Sequence, residues 1–357
     1  VFLIIGTLIV YKQIGVGQNR PIGYQQDGLI TIDVTEPTHK HFEAIRQELK
    51  NAGAIAEMSE SSNPITAVWI SLSGFTWKGK DPNLAEEFPT NSVTYEFGKT
   101  IDWKIKQGRD FSRQHATDTF ALVINESAAA YMGLKDPIGE IVRWREKPYT
   151  IIGVVEDLLV QSPYHPVKPS IFNLSTELEN VLTLRINPKA GVNDALAKIE
   201  TTFKKYDPAS PFKADFADEV FARKFNNEKR VGKLSTFFAG LAIFISCLGL
   251  FGLTSFVAEQ RVKEIGIRKV LGASVPDICG LLSKEFIVLV VIACCIAVPF
   301  SFYYLSNWLE KYEYRASLSW WVFVLATGGA LFITQITVGF QAIKAALANP
   351  VKSLRTE

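Results

Sequence analysis

The sequence predicts an α-helical membrane protein: a four-span module whose first span is truncated, with an α+β extracytoplasmic domain of two subdomains inserted after that span. Three observations predict it. Leu234 to Ala258, Phe286 to Leu309 and Ala316 to Ile343 contain no Asp, Glu, Lys or Arg, and each exceeds the roughly 20 residues needed to cross a bilayer core. From Lys12 to Lys233, in contrast, charges, prolines and turn residues are scattered as in a soluble protein. The uncharged start, Val1 to Tyr11 (VFLIIGTLIVY), reaches across about half a bilayer at a helical rise of about 1.5 Å per residue, and is expected to be the C-terminal part of the first span.

The 357 residues carry a formal net charge of +2, which by itself argues neither for nor against nucleic acid. No basic block marks a nucleic-acid face, and none is expected as a partner. Cys247, Cys279, Cys294 and Cys295 all lie beyond Lys233, so the polar region contains no disulfide and is held by packing alone.

Lysine and arginine set the expected orientation. Arg261, Lys263, Arg268, Lys269 and Lys284 lie between the second and third spans, and Lys344, Lys352 and Arg355 follow the last. The loop 259–285 and the tail 344–357 are therefore expected in the cytoplasm, and Lys311 and Arg315, in the short turn between the last two spans, face outward. Lys224, Lys229, Arg230 and Lys233 run against the rule, but long domains translocate largely regardless of charge. The spans, about 234–258, 286–309 and 316–343, hold no acidic or basic residue to mark an ion path or proton relay.

The external domain, 12–233, opens with LITIDV (Leu29 to Val34), which alternates like a strand. HFEAIRQELKNAG (His41 to Gly53) follows, with Phe42, Ile45 and Leu49 on one helical face and Gly53 closing it. A similar unit returns as VLTLRI (Val181 to Ile186), a helix over 193–206 carrying Leu196, Ile199 and Phe203, and FKADF (Phe212 to Phe216). The two are expected to be halves of one α/β subdomain beside the membrane. Between them, GRDFS (Gly108 to Ser112), FALVINESAAAYMG (Phe120 to Gly133), DPIG (Asp136 to Gly139) and YTIIGVVEDL (Tyr149 to Leu158) predict an outer β-rich subdomain. In it Asn125 is an N-cap and DPIG a turn. Asp218 to Lys233 keeps Val220, Phe221, Lys224, Phe225 and Glu228 at helical spacing without a Pro, which predicts a continuous stalk helix, 218–233, into the second span.

Candidate chemistry is sparse. FGKT (Phe97 to Thr100) has Val93 where a phosphate-binding loop needs its first Gly. His39 and His41, two apart at a helix start, point to different faces and read as surface histidines; no metal site is expected. His115 and His165 are isolated. Glu156 and Asp157 follow a strand, where neighbours face opposite sides, and are expected to shape a turn. Gly249 and Gly252 in SCLGLFGLTSF would permit close packing between helices.

The charged stretch EQRVKEIGIRKVLGASVPD (Glu259 to Asp277) predicts two capped helices meeting at a corner. Gly272 ends the first, and SVPD (Ser274 to Asp277) starts the second as a capping box with Pro in its first turn. VKEIGIRKVLGAS (Val262 to Ser274), together with the preceding LAIFISCLGLFGLTSF, resembles the permeases of the FtsX-like and MacB-type class of ABC transporters. GRDF, VINESAAAYMG, DPIG and YTIIGVVED are similar to the MacB-like periplasmic core domain, and ANPVKSLRTE (Ala348 to Glu357) to the usual family ending.

That resemblance implies a permease subunit of the bacterial inner membrane with no catalytic residues and no cofactor of its own. ATP and Mg²⁺ are used by a partner ABC ATPase. The permease pairs with a second permease module, as a dimer or as the other half of one polypeptide, and its external domain meets a periplasmic adaptor or substrate. Motion driven by ATP passes to that domain by mechanotransmission, in export or efflux. Carried over by position, Lys263, Glu264, Ile265, Gly266, Arg268, Lys269, Leu271, Gly272 and Ala273 contact the ATPase. The alternative is a membrane sensor with an external ligand-binding domain, which requires an output domain; a membrane-tethered enzyme would require a catalytic constellation.

Overall fold

The computed structural model describes residues 1–347 except Pro82 and Ala85. The tail ANPVKSLRTE, with Lys352 and Arg355, lies outside the described residues. The chain divides into two units, Arg20–Phe225 and a second that joins Val1–Asn19 to the chain from Asn226 onward; each is described by itself.

In the helical unit, three helices are long and apolar enough to cross a membrane: Asn226–Gln260, Val275–Leu309 and Trp320–Lys344. The first helix, Phe2–Gln18, is shorter, yet it runs well past the expected end at Tyr11. Two polar side chains at that point have partners in the turn between the last two long helices. Lys12 donates to the Ser317 carbonyl at 2.7 Å. Gln13, fully buried, donates to the Tyr314 carbonyl at 3.0 Å and accepts from the Ala316 N–H at 2.7 Å. The last helix starts at Trp320 and not at the expected Ala316; in the stretch before it, the Ala316 N–H and the Ser317 carbonyl bond to side chains of the first helix. Ile5 and Ile9 of the first helix pack against Leu305, Leu309 and Ala326.

The expected continuous stalk is broken. One helix covers Ala217–Arg223, and the next begins at Asn226. Between them the Lys224 and Phe225 amides bond to Phe221 and Ala222, three residues back, a tightening typical of a helix end. The cause is packing. Phe225 is buried edge-on against Phe221 and Tyr164, with ring centroids 5.6 and 5.9 Å away.

In the domain unit, the strands Asp215–Phe216, Leu29–Asp33, Val181–Ile186 and Ile55–Ser61 lie side by side in that order, all antiparallel. With the helices Phe42–Asn51 and Val192–Tyr206 between them in sequence, they make the split β-α-β arrangement that the repeated strand-helix units predict. Phe42, Ile45 and Leu49 from one helix and Ala195, Ile199 and Phe203 from the other bury against Ile30, Met58, Leu182 and Leu184. Each large side chain so buried contributes about 1.5–3 kcal/mol.

The sheet continues without a gap. Ser61 pairs with Val93 of Phe88–Val93, and from there the order runs through Ile171–Leu174, Ala121–Asn125, Lys147–Val155 and Ile141–Trp144 to Phe75–Thr76. The strand Ala121–Asn125 is buried on both faces. Val123 enters a core with Phe97, Trp103 and Phe172, whereas Leu122 and Ile124 enter another with Phe75, Phe88 and Val142, following the two-residue period of a strand.

The motifs carried by the sequence have local causes here. At Gly108 φ is +72°, and a Cβ would stand 2.1 Å from the Ile152 carbonyl oxygen, so only glycine fits. Arg109 then forks onto the fully buried Asp118 at 2.8 and 2.6 Å. Asn125 caps the helix Glu126–Tyr131 by accepting from the Ala128 N–H at 2.9 Å. Asp157, expected only to shape a turn, is a second cap for that helix, accepting from the Ser127 N–H at 2.9 Å and its hydroxyl at 2.6 Å. Glu156 instead pairs with Lys106 at 3.0 Å.

Two predictions follow from these contacts. Asp157→Ala removes both acceptors from Ser127 and should cost about 1–2 kcal/mol, with Asp157→Asn recovering part of the loss in thermal unfolding of the purified chain. Glu179 is pushed up to about 7 by burial, reinforced by Glu60 and Glu177. A carboxyl raised in the folded state stabilises below its unfolded value near 4.5 and loses that contribution as pH rises through 7. Glu179→Gln should therefore raise stability at pH 8 by an amount on the order of 1–2 kcal/mol, read as a higher unfolding temperature, and not at pH 4; equal shifts at both pH values would refute the assignment.

Candidate functional site

The first long helix ends at Gln260, and a short helix, Val262–Val270, follows after Arg261 alone. Its end is a full left-handed cap. Gly272 has φ +94°, the Gly272 N–H bonds to the Lys269 carbonyl at 3.1 Å, and the Ala273 N–H bonds to the Arg268 carbonyl at 2.9 Å. Those are the two bonds of a Schellman motif. The second long helix then starts at Val275, with Pro276 in its first turn. The Asp277 carboxylate reaches back to the Ser274 N–H at 3.0 Å and hydroxyl at 2.5 Å. Both expected capping devices are present, and the corner is rigidly terminated on each side.

One face of the short helix packs on its own unit. Ile265 joins a buried cluster with Ile278 and Ala342, edged by Val257, Ala273, Val275 and Cys279, and Gly266 is buried beside it. Arg261 pairs with Glu285 at 2.7 Å, tying the break to the second long helix. The opposite face is open. Lys263 is exposed, Ile267 is 53% exposed and Leu271 is 81% exposed, and Glu264 and Arg268 beside them form an i,i+4 pair at 2.7 Å. An exposed pair of this kind is worth under about 1 kcal/mol, so it shapes the charge of the face more than its stability.

The expected contact residues thus divide. Lys263, Glu264, Arg268 and Leu271 are exposed and Lys269 is half-buried, whereas Ile265 and Gly266 turn inward and are replaced on the open face by Ile267. Sequence reasoning passed over Ile267, although Lys263, Ile267 and Leu271 recur every four residues, the spacing of one helix face. Gly249 and Gly252 are not points of close approach within this chain: a Cβ at either meets nothing within 4 Å.

Other candidates resolve into structural roles. FGKT lies in the helix Phe97–Ile101 with Phe97, Thr100 and Ile101 buried, and the Thr100 hydroxyl donates to the Glu96 carbonyl at 2.8 Å. His39 is no simple surface histidine. Its Nδ1 lies 2.7 Å from a carboxylate oxygen of the buried Glu60, while the His41 Nδ1 lies 2.9 Å from the Pro37 carbonyl. Among the described residues, no group of three or more His, Cys, Asp or Glu is placed to hold a metal.

A family model described as the MacB-like periplasmic core domain matches residues 3–202, and one described as the FtsX-like permease C-terminal domain matches residues 236–350. The chain belongs to this MacB-like, FtsX-like ABC transporter permease family. Among curated relatives, the macrolide export ATP-binding/permease protein MacB of Nitrobacter winogradskyi is 21% identical over 68% of this chain and 39% of its own length. MacB 2 of Aeromonas hydrophila is 24% identical over 74% of this chain and 43% of its own length. The chain therefore spans about two fifths of the length of these relatives. Among solved structures, the periplasmic region of MacB from Actinobacillus actinomycetemcomitans is 16% identical, covers 56% of this chain and 92% of its own, and has a TM-score of 0.41. A domain of a putative permease protein from Porphyromonas gingivalis is 15% identical, covers 53% and 93%, and has a TM-score of 0.37.

The corner of this permease has a sharp dependence on one backbone angle. Gly272→Val meets no steric obstacle, since a Cβ there finds open space, so its cost is the left-handed φ alone, about 1–2 kcal/mol. Hydrogen exchange at the Gly272 and Ala273 amides should accelerate about tenfold or more while the buried strand Ala121–Asn125 keeps its protection, and Gly272→Asn should have the smaller effect.

Proposed function

We propose that this chain is the non-catalytic permease part of an ABC transporter, and that it passes ATP-driven motion from a cytoplasmic ATP-binding partner to an extracytoplasmic domain. The observation that carries this is the short helix Val262–Val270. One side is anchored through Ile265 to both flanking long helices, and the other presents the exposed Lys263, Ile267 and Leu271. Large apolar side chains exposed beside charges are suited to seating in a groove of another protein. The relatives' name joins ATP binding to a permease, which supports an ATP-binding partner as the occupant, with ATP and Mg²⁺ held there and not by this chain.

In the full proposal the first helix is part of a fourth span, the domain has membrane-proximal α/β and outer β-rich subdomains, and the C-terminus is cytoplasmic in a bacterial inner membrane. Positive charge at Arg261, Lys263, Arg268 and Lys269 supports that side for the corner. A second permease module and a periplasmic adaptor or substrate complete the assembly. The three long helices, free of acidic and basic side chains in their apolar parts, favour work done outside the bilayer over a conducting path through it.

Ile267→Asp combined with Leu271→Asp should lower co-purification of the ATP-binding partner at least tenfold and reduce its transport-coupled ATP turnover, with membrane insertion unchanged. Arg268→Glu combined with Lys269→Glu should act in the same direction. Unchanged assembly and turnover in both would remove the coupling role from this helix.

A further inference from the structure

Both places where the chain crosses into or out of the Arg20–Phe225 unit are held by one segment, Leu158 to His165. At the entry, Arg20 donates from one guanidinium nitrogen to the carbonyls of Pro163 at 2.9 Å and His165 at 2.6 Å. The Leu159 N–H closes the contact from the other side, bonding to the Ile22 carbonyl at 2.9 Å. Gly23, with φ +80°, lies so close that a Cβ would stand 2.2 Å from the Asp157 carbonyl oxygen.

At the exit, the Lys224 ammonium donates to the carbonyls of Gln161 at 2.8 Å, Thr66 at 2.6 Å and Val160. An ammonium offers three N–H donors and no acceptor, and these carbonyls take up all of them. Burial pushes the amine down to about 8, so at neutral pH it is still a cation. Phe225, next in the chain, packs on the ring of Tyr164. The segment itself is well anchored, with Leu158, Leu159 and Tyr164 each 3% exposed or less. It continues from the strand Lys147–Val155 through Asp157, the cap of the helix Glu126–Tyr131.

Carbonyl groups are ordinary hydrogen-bond acceptors, but a cation strengthens the bond and adds direction. Here two cations from opposite ends of a domain of about 200 residues converge on one loop, Lys224 on the carbonyls of Val160 and Gln161 and Arg20 on those of Pro163 and His165.

We infer that Leu158 to His165 is the junction at which the two chain crossings of this domain are held as one, with Arg20 and Lys224 as its positioning residues. A displacement of the chain at either crossing is then delivered to the same loop, and from it to the strand Lys147–Val155 at the centre of the β-rich half. The inference concerns a different site from the corner helix and does not rest on the permease reading. Under that reading it is the point where motion of the membrane helices would enter the domain.

The test is hydrogen exchange on the full chain in lipid nanodiscs, with no ATP-binding partner present, so that failure of the permease proposal leaves the result intact. Lys224→Met should accelerate exchange at least tenfold at the Leu159 amide, which is bonded to the entry side, as well as near Thr66. Arg20→Gln should accelerate the Lys224 and Phe225 amides on the exit side. The double variant should match the stronger single variant and not the product of the two, since neighbours sharing one element are not additive. Lys224→Arg, which keeps the charge and the donors, should stay within about threefold of wild type.

Effects confined to each variant's own crossing, multiplying in the double variant, would overturn the junction. Equal loosening by Lys224→Arg and Lys224→Met would overturn the role of the cation. Should Lys224→Met fail to fold, Arg20→Gln read at the exit-side amides decides alone.

Discussion

Backbone N–H and carbonyl groups at the end of a helix or strand have no partner within the element, and much of this molecule is organised around answering them. Gln13 satisfies the turn at Tyr314 and Ala316. Asn125 and Asp157 share the start of one helix. Gly272 and Asp277 close and open the two helices of the corner, and Arg20 and Lys224 collect the carbonyls of one loop. Within a bilayer the constraint is stricter, because no water is there to supply the missing bond. Thr254, Ser301 and Thr334, buried inside the long helices, accordingly donate their hydroxyls to carbonyls four residues back.

The corner between the first and second long helices combines these devices: its short helix is capped at the Gly272 end, followed by the capping box of Ser274 and Asp277, and anchored through Ile265. The bidentate Arg109 and Asp118 pair gives the domain a comparable fixed point. Its carboxylate is buried, and removing one member of such a pair is far costlier than the pair's own net contribution.

Within the domain the buried side chains form three clusters, and one of them gathers Leu29 and Ala217 with Val93, Val123, Val155 and Phe172. The strands, however, pass from one half to the other in one continuous order, through the pairing of Ser61 with Val93. The narrow register contact is thus backed by a shared apolar cluster, in which Leu29 and Ala217 meet Val123, Val155 and Phe172.

The sequence by itself determined the apolar helices, the repeated strand-helix units, the turn at DPIG and both caps of the corner. Each of these is local: hydropathy, periodicity and a glycine at a left-handed position act within a few residues of where they are read. Only the tertiary structure shows where the first helix ends and the last begins, and the bonds of Lys12 and Gln13 that join the two regions reach across some 300 positions. The break at Lys224, the capping role of Asp157, the pairing of His39 with Glu60, and the exchange of Ile265 for Ile267 on the open face depend on it in the same way. In each case a polar or apolar group chose its partner by proximity in the folded chain, and helical spacing alone leaves the direction of a face undetermined until something packs against it.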